Sequence, residues 1–108
     1  NFYQQQVPFM NQEARLQVKS VRTLRTCFLV MDALGRSSVA FFKDRRVRQA
    51  INYAVNKEHI TCTAFNQLAD PMNSVTSPLH FGHESQVKTY PYNPNKARAL
   101  LAAAGYPE

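Results

Sequence analysis

The chain has 108 residues, of which 44% are hydrophobic, and this length suits one small domain or a piece of a larger protein. Its formal net charge of +6 comes from the first part: residues 1–48 hold nine Lys or Arg against three Asp or Glu, whereas residues 49–108 hold four of each. A basic half can bind nucleic acid or an anionic membrane surface, but a solvated face is the commoner explanation. No apolar run approaches the ~20 residues needed to cross a bilayer.

The first part of the chain is predicted to contain a connector and two strands. Residues 1–15 are polar and interrupted by proline, which is typical of a connector. Residues 16–22 alternate loosely and are a weak strand candidate. Residues 24–32, L-R-T-C-F-L-V-M-D, are a stronger one because their central positions are apolar on both faces, as in a strand covered on both sides. Residues 35–38 then have the composition of a turn.

A pair of helices is predicted over residues 41–60, F-F-K-D-R-R-V-R-Q-A-I-N-Y-A-V-N-K-E-H-I, and the second helix continues beyond them. Asp44 is a good N-cap for the first helix, because its carboxylate can accept from the free N–H groups of the first turn and suits the helix dipole. Asn56 is the corresponding cap of the second helix. Apolar residues recur at helical spacing in both helices. These residues are Val47, Ala50, Ile51, Ala54 and Val55 in the first helix and Ile60, Ala64 and Leu68 in the second.

The remainder is predicted to be a long loop followed by one helix. Residues 69–93 contain several prolines and no sustained period. The last helix begins at Asn93, which caps it, and Pro94, whose missing N–H costs nothing in the first helical position. Gly105 is the expected residue just beyond the helix, and Pro107 prevents its continuation. Since the chain begins without Met or a signal peptide, we expect an excerpt or a mature piece, and its compartment cannot be read from a targeting segment.

Few residues are arranged for chemistry. The motif G-x-S-x-G and a Gly-rich phosphate loop are absent, and Cys27 and Cys62 lack the spacing of a zinc site. His80 and His83 form H-x-x-H in the long loop, and Glu84 alone is a weak candidate for a third metal ligand. We favour ordinary polar loop residues over nickel or zinc binding there. No catalytic residue, no metal and no cofactor are therefore predicted, and the chain is interpreted as a non-enzyme.

A DNA-binding helix-turn-helix is the alternative interpretation of the helix pair. Basic side chains at the entry to the first helix, Lys43, Arg45, Arg46 and Arg48, would neutralise phosphates. The second helix would enter the major groove, yet it has no cluster of Arg, Asn or Gln to read base edges. The charge therefore lies on the wrong helix, and a small basic nucleic-acid-binding module is kept as the second hypothesis.

Three motifs in order carry a family resemblance. Residues 41–60 resemble the signature F-K-D-x-R-V-R-Q-A-I-x-Y-A-I-x-(K/R)-(D/E)-x-I of the family 5 extracellular solute-binding proteins, the peptide, dipeptide and nickel receptors of ABC importers. Residues 90–108 are similar to that family's Y-x-Y-D-P-x-K-A-K-x-L-L-x-E-A-G-Y-P. Residues 22–32 resemble the strand R-T-x-F-L-G-M-D of one branch. The resemblance covers roughly residues 16–108, but residues 66–69, N-Q-L-A, stand where the family usually has a glycine pair.

The resemblance implies an α/β fold, namely a partial lobe of a bilobal periplasmic-binding-protein fold in which strands precede the helix pair, the long loop and the C-terminal helix. Residues 1–15 would be the connector, and residues 16–108 the N-terminal part of the second, C-terminal lobe of a larger protein. The implied function is that of the non-catalytic substrate-binding component of an ABC importer for a peptide-type ligand. The implied location is the periplasm or, in a Gram-positive source, an extracellular lipoprotein.

The resemblance also implies partners and a site. The partners would be a peptide or similar small solute, the membrane subunits of an ABC permease and the remainder of the bilobal protein, with no nucleic acid. Most binding residues would lie downstream, so only Met31 and Asp32, at the end of the predicted strand, are expected to approach the ligand cleft. A core Met31 and a turn-capping Asp32 are the alternative. Di- and oligopeptides, glutathione, opines and metal chelates all remain open as solutes, and a homodimer through apolar surface meant for missing strands is a further hypothesis.

Overall fold

The computed structural model describes residues 4–107, which fall into two compact units. The first unit takes in the chain up to Thr26 together with Lys57–Ser85, and the second takes in Cys27–Asn56 together with the chain from Gln86 onward. The first unit holds a 3₁₀ turn and two helices, and the second a 3₁₀ turn and two helices. These elements are the 3₁₀ turn Gln4–Gln6, α1 (Val7–Met10) and α3 (Lys57–Thr63) in the first unit, and the 3₁₀ turn Phe41–Lys43, α2 (Arg45–Ala54) and α4 (Pro94–Ala103) in the second.

Helix α2 begins where the sequence predicts. Asp44 has extended backbone angles (φ −72°, ψ 122°), and its Oδ1 accepts a hydrogen bond from Arg46 N at 2.7 Å. The helix buries Val47, Ala50 and Tyr53 on one face. The predicted stripe was partly wrong, because Ala54 is exposed and the helix ends before Val55. Tyr53 takes the buried position at this end instead.

Helix α4 also has the predicted ends. Asn93 Oδ1 accepts from Lys96 N at 2.9 Å, and Pro94 occupies the first turn. At the other end Gly105 has φ +91°, and Tyr106 N donates to Leu101 O at 2.9 Å. This bond closes a Schellman motif, whose left-handed residue is normally glycine.

Helices α2 and α4 pack antiparallel and form the core of the second unit. Ala50 and Ala97 are 1% and 3% exposed, and their small side chains let the two backbones approach closely. Asn93 N donates to Tyr53 O at 2.8 Å, which joins the end of α2 to the start of α4. The ring of Tyr53 meets that of Tyr90 edge-on, with centroids 5.2 Å apart. Leu100 and Leu101 complete the cluster.

The α/β class is not confirmed by the described part of the chain, where the secondary structure consists of helices and turns without a strand. Residues 24–32 have no regular secondary structure, and Phe28, Leu29 and Val30 are 61%, 68% and 75% exposed. A strand is stabilised by hydrogen bonds to a neighbouring strand and by burial of its faces. Both are missing for these residues here, so the predicted strand stays a prediction.

The chain after α3 turns through two residues with left-handed backbone. Asn66 and Gln67 have φ +46° and +62°. Two backbone hydrogen bonds hold this turn. Gln67 N donates to Thr61 O at 3.0 Å, and Leu68 N donates to Phe65 O at 2.8 Å. The turn thus keeps the backbone shape that a glycine pair would adopt without strain.

Residues 69–93 form the long loop that the sequence predicts, with turns and bends but no helix or strand. Helix α1 lies within the residues that the sequence predicts to be a connector. No helix in the described part of the chain is both long enough and apolar enough to span a membrane.

Candidate functional site

Asp32 closes a turn with its own neighbours. Its Oδ2 accepts a hydrogen bond from Ser37 N at 2.7 Å. This backbone bond is the largest cause that holds the pKa of Asp32 below its ordinary value of 3.8, against an opposing effect of desolvation. The Ser37 hydroxyl and the N–H groups of Gly35 and Leu34 lower the pKa further. Because these donors stabilise the charged form, the carboxylate holds the turn together.

Met31 lies at the start of the same turn and is half-buried. Its carbonyl accepts a hydrogen bond from Ala33 N at 2.9 Å. Gly35 has φ +65°, and the side chain of Lys43 passes so close that a Cβ on Gly35 would collide with it. The turn therefore offers a thioether next to a carboxylate that is already engaged. This agrees with the turn-capping alternative for Asp32, while contact of either residue with a solute stays a prediction.

A second polar region lies in the first unit, where the start of α3 meets the long loop. Lys57 Nζ donates to Met72 O at 2.8 Å and to Asn73 Oδ1 at 3.1 Å. One bond reaches the loop backbone and the other a loop side chain, and together they attach the loop to the start of α3.

Residues 74–83 follow as a turn-rich segment that we call the histidine loop. Ser77 is 6% exposed, and its Oγ accepts a hydrogen bond from Leu79 N at 3.1 Å. Its carbonyl accepts from His80 N at 2.9 Å. The buried serine thus organises the loop by satisfying two backbone donors that a turn would otherwise leave unpaired.

The two histidines of the histidine loop have different surroundings. Nδ1 of His80 is buried and has no hydrogen-bond partner. Nδ1 of His83 donates to the carbonyl oxygen of Thr76 at 2.9 Å, since a carbonyl can only accept. The H-x-x-H spacing identified this pair in the sequence, but nothing in the spacing indicated that Thr76 contacts one of the rings.

Residues 4–107 contain no group of three or more His, Cys, Asp or Glu side chains that could bind a metal ion. Cys27 and Cys62 are exposed free thiols.

An open groove of about 250 Å³ runs beside α4. Its lining is mostly apolar and carries one charged side chain. The lining residues are Arg98, Ala99, Leu101, Ala102, Tyr106 and Pro107. A solute site normally combines such a surface with several convergent polar groups, so the groove by itself is a poor candidate.

The family model described as bacterial extracellular solute-binding proteins, family 5 Middle, matches residues 1–108. The chain belongs to this family. The family resemblance of the three sequence motifs is thereby confirmed. Membership also supports the receptor interpretation of the helix pair over the DNA-binding alternative, because the family model covers the helix pair together with the rest of the chain.

Individual relatives agree with this assignment. The chain is 30% identical to heme-binding protein A of Haemophilus influenzae over 98 residues, which are 91% of the chain and 17% of the relative. It is 39% identical to the glutathione-binding protein GsiB of Salmonella typhimurium over 67 residues, which are 62% of the chain and 13% of the relative. For GsiB of Escherichia coli K12 the identity is 41% over 66 residues, 61% of the chain and 13% of the relative.

The chain therefore spans less than a fifth of the length of these relatives. No solved protein structure matches it. Family 5 solute-binding proteins are bilobal proteins of the periplasm or the cell exterior that bind small solutes and work with ABC permeases, and the relatives are named for binding rather than for catalysis.

Proposed function

We propose that the protein containing this chain is the substrate-binding component of an ABC importer and that it binds a small peptide-type solute without chemically changing it. The observation that carries this proposal is the match of the family model to residues 1–108. The chain's own residues agree with a non-catalytic role, since the one engaged carboxylate of the Met31–Asp32 turn supports backbone structure.

The proposed position of the chain is at the beginning of the second lobe. Residues 1–15 are the connector from the first lobe, and residues 16–108 begin the second. Residues 24–32 form a strand once neighbouring strands of the same protein cover them. The exposure of Phe28, Leu29 and Val30 supports this placement, because apolar side chains in a row with exposed backbone are stabilised by pairing and burial.

The proposed solute lies in the cleft between the lobes, which closes by hinge motion. Met31 is the proposed contact, and Asp32 sets its position through the turn to Ser37. The membrane subunits of the permease receive the solute-loaded protein. The proposed location is the periplasm, or the outer surface of a Gram-positive cell as a lipoprotein.

The relatives indicate which solutes to test first. Their names specify heme and glutathione, the second of which is a small peptide. Both compounds carry carboxylates, and the net charge of +6 on this chain favours association with anions by long-range attraction.

The test is thermal unfolding of the full-length protein with glutathione, a panel of di- and oligopeptides, and hemin. A solute that binds the folded state raises Tm, by an amount that grows with concentration above Kd. We expect at least one of these compounds to raise Tm. The proposal would be contradicted if none of these compounds changed Tm and the protein bound duplex DNA tightly at low salt and weakly at high salt. That behaviour is expected of the nucleic-acid-binding alternative.

A further inference from the structure

We propose that five residues of the second unit form a docking surface for an anionic phospholipid membrane. These residues, which we call the lysine–tyrosine cluster, are Tyr53, Lys88, Tyr90, Tyr92 and Lys96. The inference goes beyond the proposed function, because it concerns a surface of the protein and does not depend on the bound solute. A receptor held at a membrane surface would stay close to the proposed permease.

Two ammonium groups of the cluster are held over one pair of rings. Nζ of Lys96 lies 4.5 Å from the centroid of the Tyr53 ring, and Nζ of Lys88 lies 5.8 Å from that of Tyr90. The two rings meet edge-on, with centroids 5.2 Å apart. The face of a tyrosine ring attracts a cation through the ring's quadrupole. Both lysines therefore have a preferred position, and they lose less side-chain freedom on binding an anion than freely moving lysines would.

The positive charge of the second unit is not balanced within that unit. It contains eight Lys or Arg and three Asp or Glu, whereas the first unit contains five and four. Of its described carboxylates, that of Asp44 pairs with Arg46, and that of Asp32 caps its own turn. Within the described residues, neither Lys88 nor Lys96 forms an ion pair with a carboxylate. Both ammonium groups are therefore available to an anionic partner.

The chemistry of the cluster favours a lipid surface as that partner. The two lysines are exposed and held over different rings, which suits a surface of many anions better than one small anion in a concave site. Lysine is depleted in interfaces between proteins, whereas each lysine near an anionic bilayer strengthens binding about fivefold. Tyr92 is 49% exposed and adds an amphipathic ring, a group that collects at the level of lipid headgroups. Family membership argues against nucleic acid.

The test is cosedimentation of the full-length mature polypeptide, free of acyl groups, with lipid vesicles. One set of vesicles consists of phosphatidylcholine, and the other of an equal mixture of phosphatidylcholine and phosphatidylglycerol. We expect the protein to bind the mixed vesicles only. We also expect binding to weaken as salt is added, because salt screens exposed charges. Equal binding to both sets, or binding that salt does not change, would overturn the proposal.

Four substitutions locate the binding surface. Lys88→Gln and Lys96→Gln should each weaken binding to the mixed vesicles about fivefold, and the double variant about 25-fold. Lys19→Gln removes an exposed lysine of the first unit and is the matched control, because it changes the net charge equally. It should change the affinity much less. Lys96→Arg keeps a cation over the ring and should bind as wild type does.

Circular dichroism compares the folding of the variants. If Lys96→Gln fails to fold, Lys88→Gln still provides the test, since its ring partner Tyr90 is only partly buried. Equal affinities of Lys88→Gln and Lys19→Gln contradict the proposal, as does a Lys96→Arg protein that binds as weakly as Lys96→Gln. Duplex DNA and polyglutamate serve as competitors of the vesicles. Tighter binding of either one, weakened by the same lysine substitutions, would assign the cluster to another kind of partner and overturn the inference.

Discussion

The guanidinium of Arg46 donates a hydrogen bond to the carbonyl oxygen of Ala103, and this bond joins the first turn of α2 to the last turn of α4. The same guanidinium donates to both carboxylate oxygens of Asp44. Nη2 lies 2.6 Å from Oδ2, and Nε lies 3.1 Å from each oxygen. One side chain thus links the N-cap of α2 to a carbonyl at the C-terminal end of α4, where carbonyls lack partners within the helix. At the opposite end the helices are joined by Asn93 N and Tyr53 O.

Substitution of Arg46 by Lys should lower Tm by a few degrees. Lysine keeps the charge but cannot reach the carboxylate of Asp44 and the carbonyl of Ala103 with one planar group. Arg45→Lys, at the exposed neighbouring position, is the matched control and should leave Tm unchanged. Thermal unfolding followed by circular dichroism measures both. Equal Tm values for the two variants would show that the link does not stabilise the helix pair.

The stability of the second unit should depend on the charge of Asp44 at low pH. The side-chain hydrogen bond from Arg46 is the largest cause that lowers the pKa of Asp44 from its ordinary value of 3.8. A lowered pKa in the folded state means that the stabilisation is complete above the ordinary value and is lost as the pH falls through the lowered value. Asp44→Asn keeps an N-cap acceptor and removes the charge.

We therefore expect wild type to be more stable than Asp44→Asn at neutral pH, with the difference shrinking as the pH falls below 3.8, the ordinary value of this carboxyl. Urea unfolding at a series of pH values measures the difference. A difference that is constant across the series would contradict a role for the charge.

Close packing between α2 and α4 predicts that Ala97 does not accept a larger side chain. Ala97 is 3% exposed and lies against Ala50 and Tyr53. Ala97→Leu should reduce the free energy of unfolding by about 1–3 kcal/mol, because the added atoms must push the helices apart. Ala99→Leu, on the exposed face of α4, is the control and should change it by no more than about 0.5 kcal/mol. Chemical denaturation compares them, and similar values would argue against tight packing at Ala97.

The left-handed turn after α3 predicts a stabilising substitution. Gln67 has φ +62°, which costs a residue with a Cβ roughly 1–2 kcal/mol. Gln67→Gly should raise the free energy of unfolding by about 0.5–1 kcal/mol, since part of the relieved strain is offset by the greater entropy of glycine in the unfolded chain. Asn66→Gly should gain less, because asparagine tolerates this conformation better than glutamine does.

Ala69→Gly, outside the left-handed pair, is the control and should reduce stability. Denaturant unfolding of the three variants gives the order. A Gln67→Gly protein that is less stable than wild type would show that the side chain of Gln67 contributes more than its backbone costs.

Local sequence signals predicted the start of α2 and both ends of α4 correctly, but not the end of α3, which stops at Thr63 before Ala64 and Leu68 and leaves its predicted apolar face exposed. Asp44, Asn93 and Gly105 act over one helical turn, through hydrogen bonds to nearby N–H groups or through an allowed positive φ. Such effects depend on neighbours in sequence, so spacing and residue type suffice.

The predicted end of α2 was less accurate, because Tyr53 is buried in a cluster with residues remote in sequence, among them Tyr90 and Ala97. The strand of residues 24–32 could not be tested in the same way, since a strand requires a partner.

The features of the candidate site also differ in whether neighbours in sequence or contacts between distant residues determine them. Residue types at short spacing were enough to predict the family, the caps of α2 and α4, and a long loop with two histidines. Three contacts could be seen only in the folded chain: Ser37 N donates to Asp32, Arg46 joins two helices, and the carbonyl of Thr76 accepts from Nδ1 of His83. The physical reason is that a hydrogen bond depends on where a backbone donor or acceptor lies in space, and the folding of loops and the packing of helices determine that position.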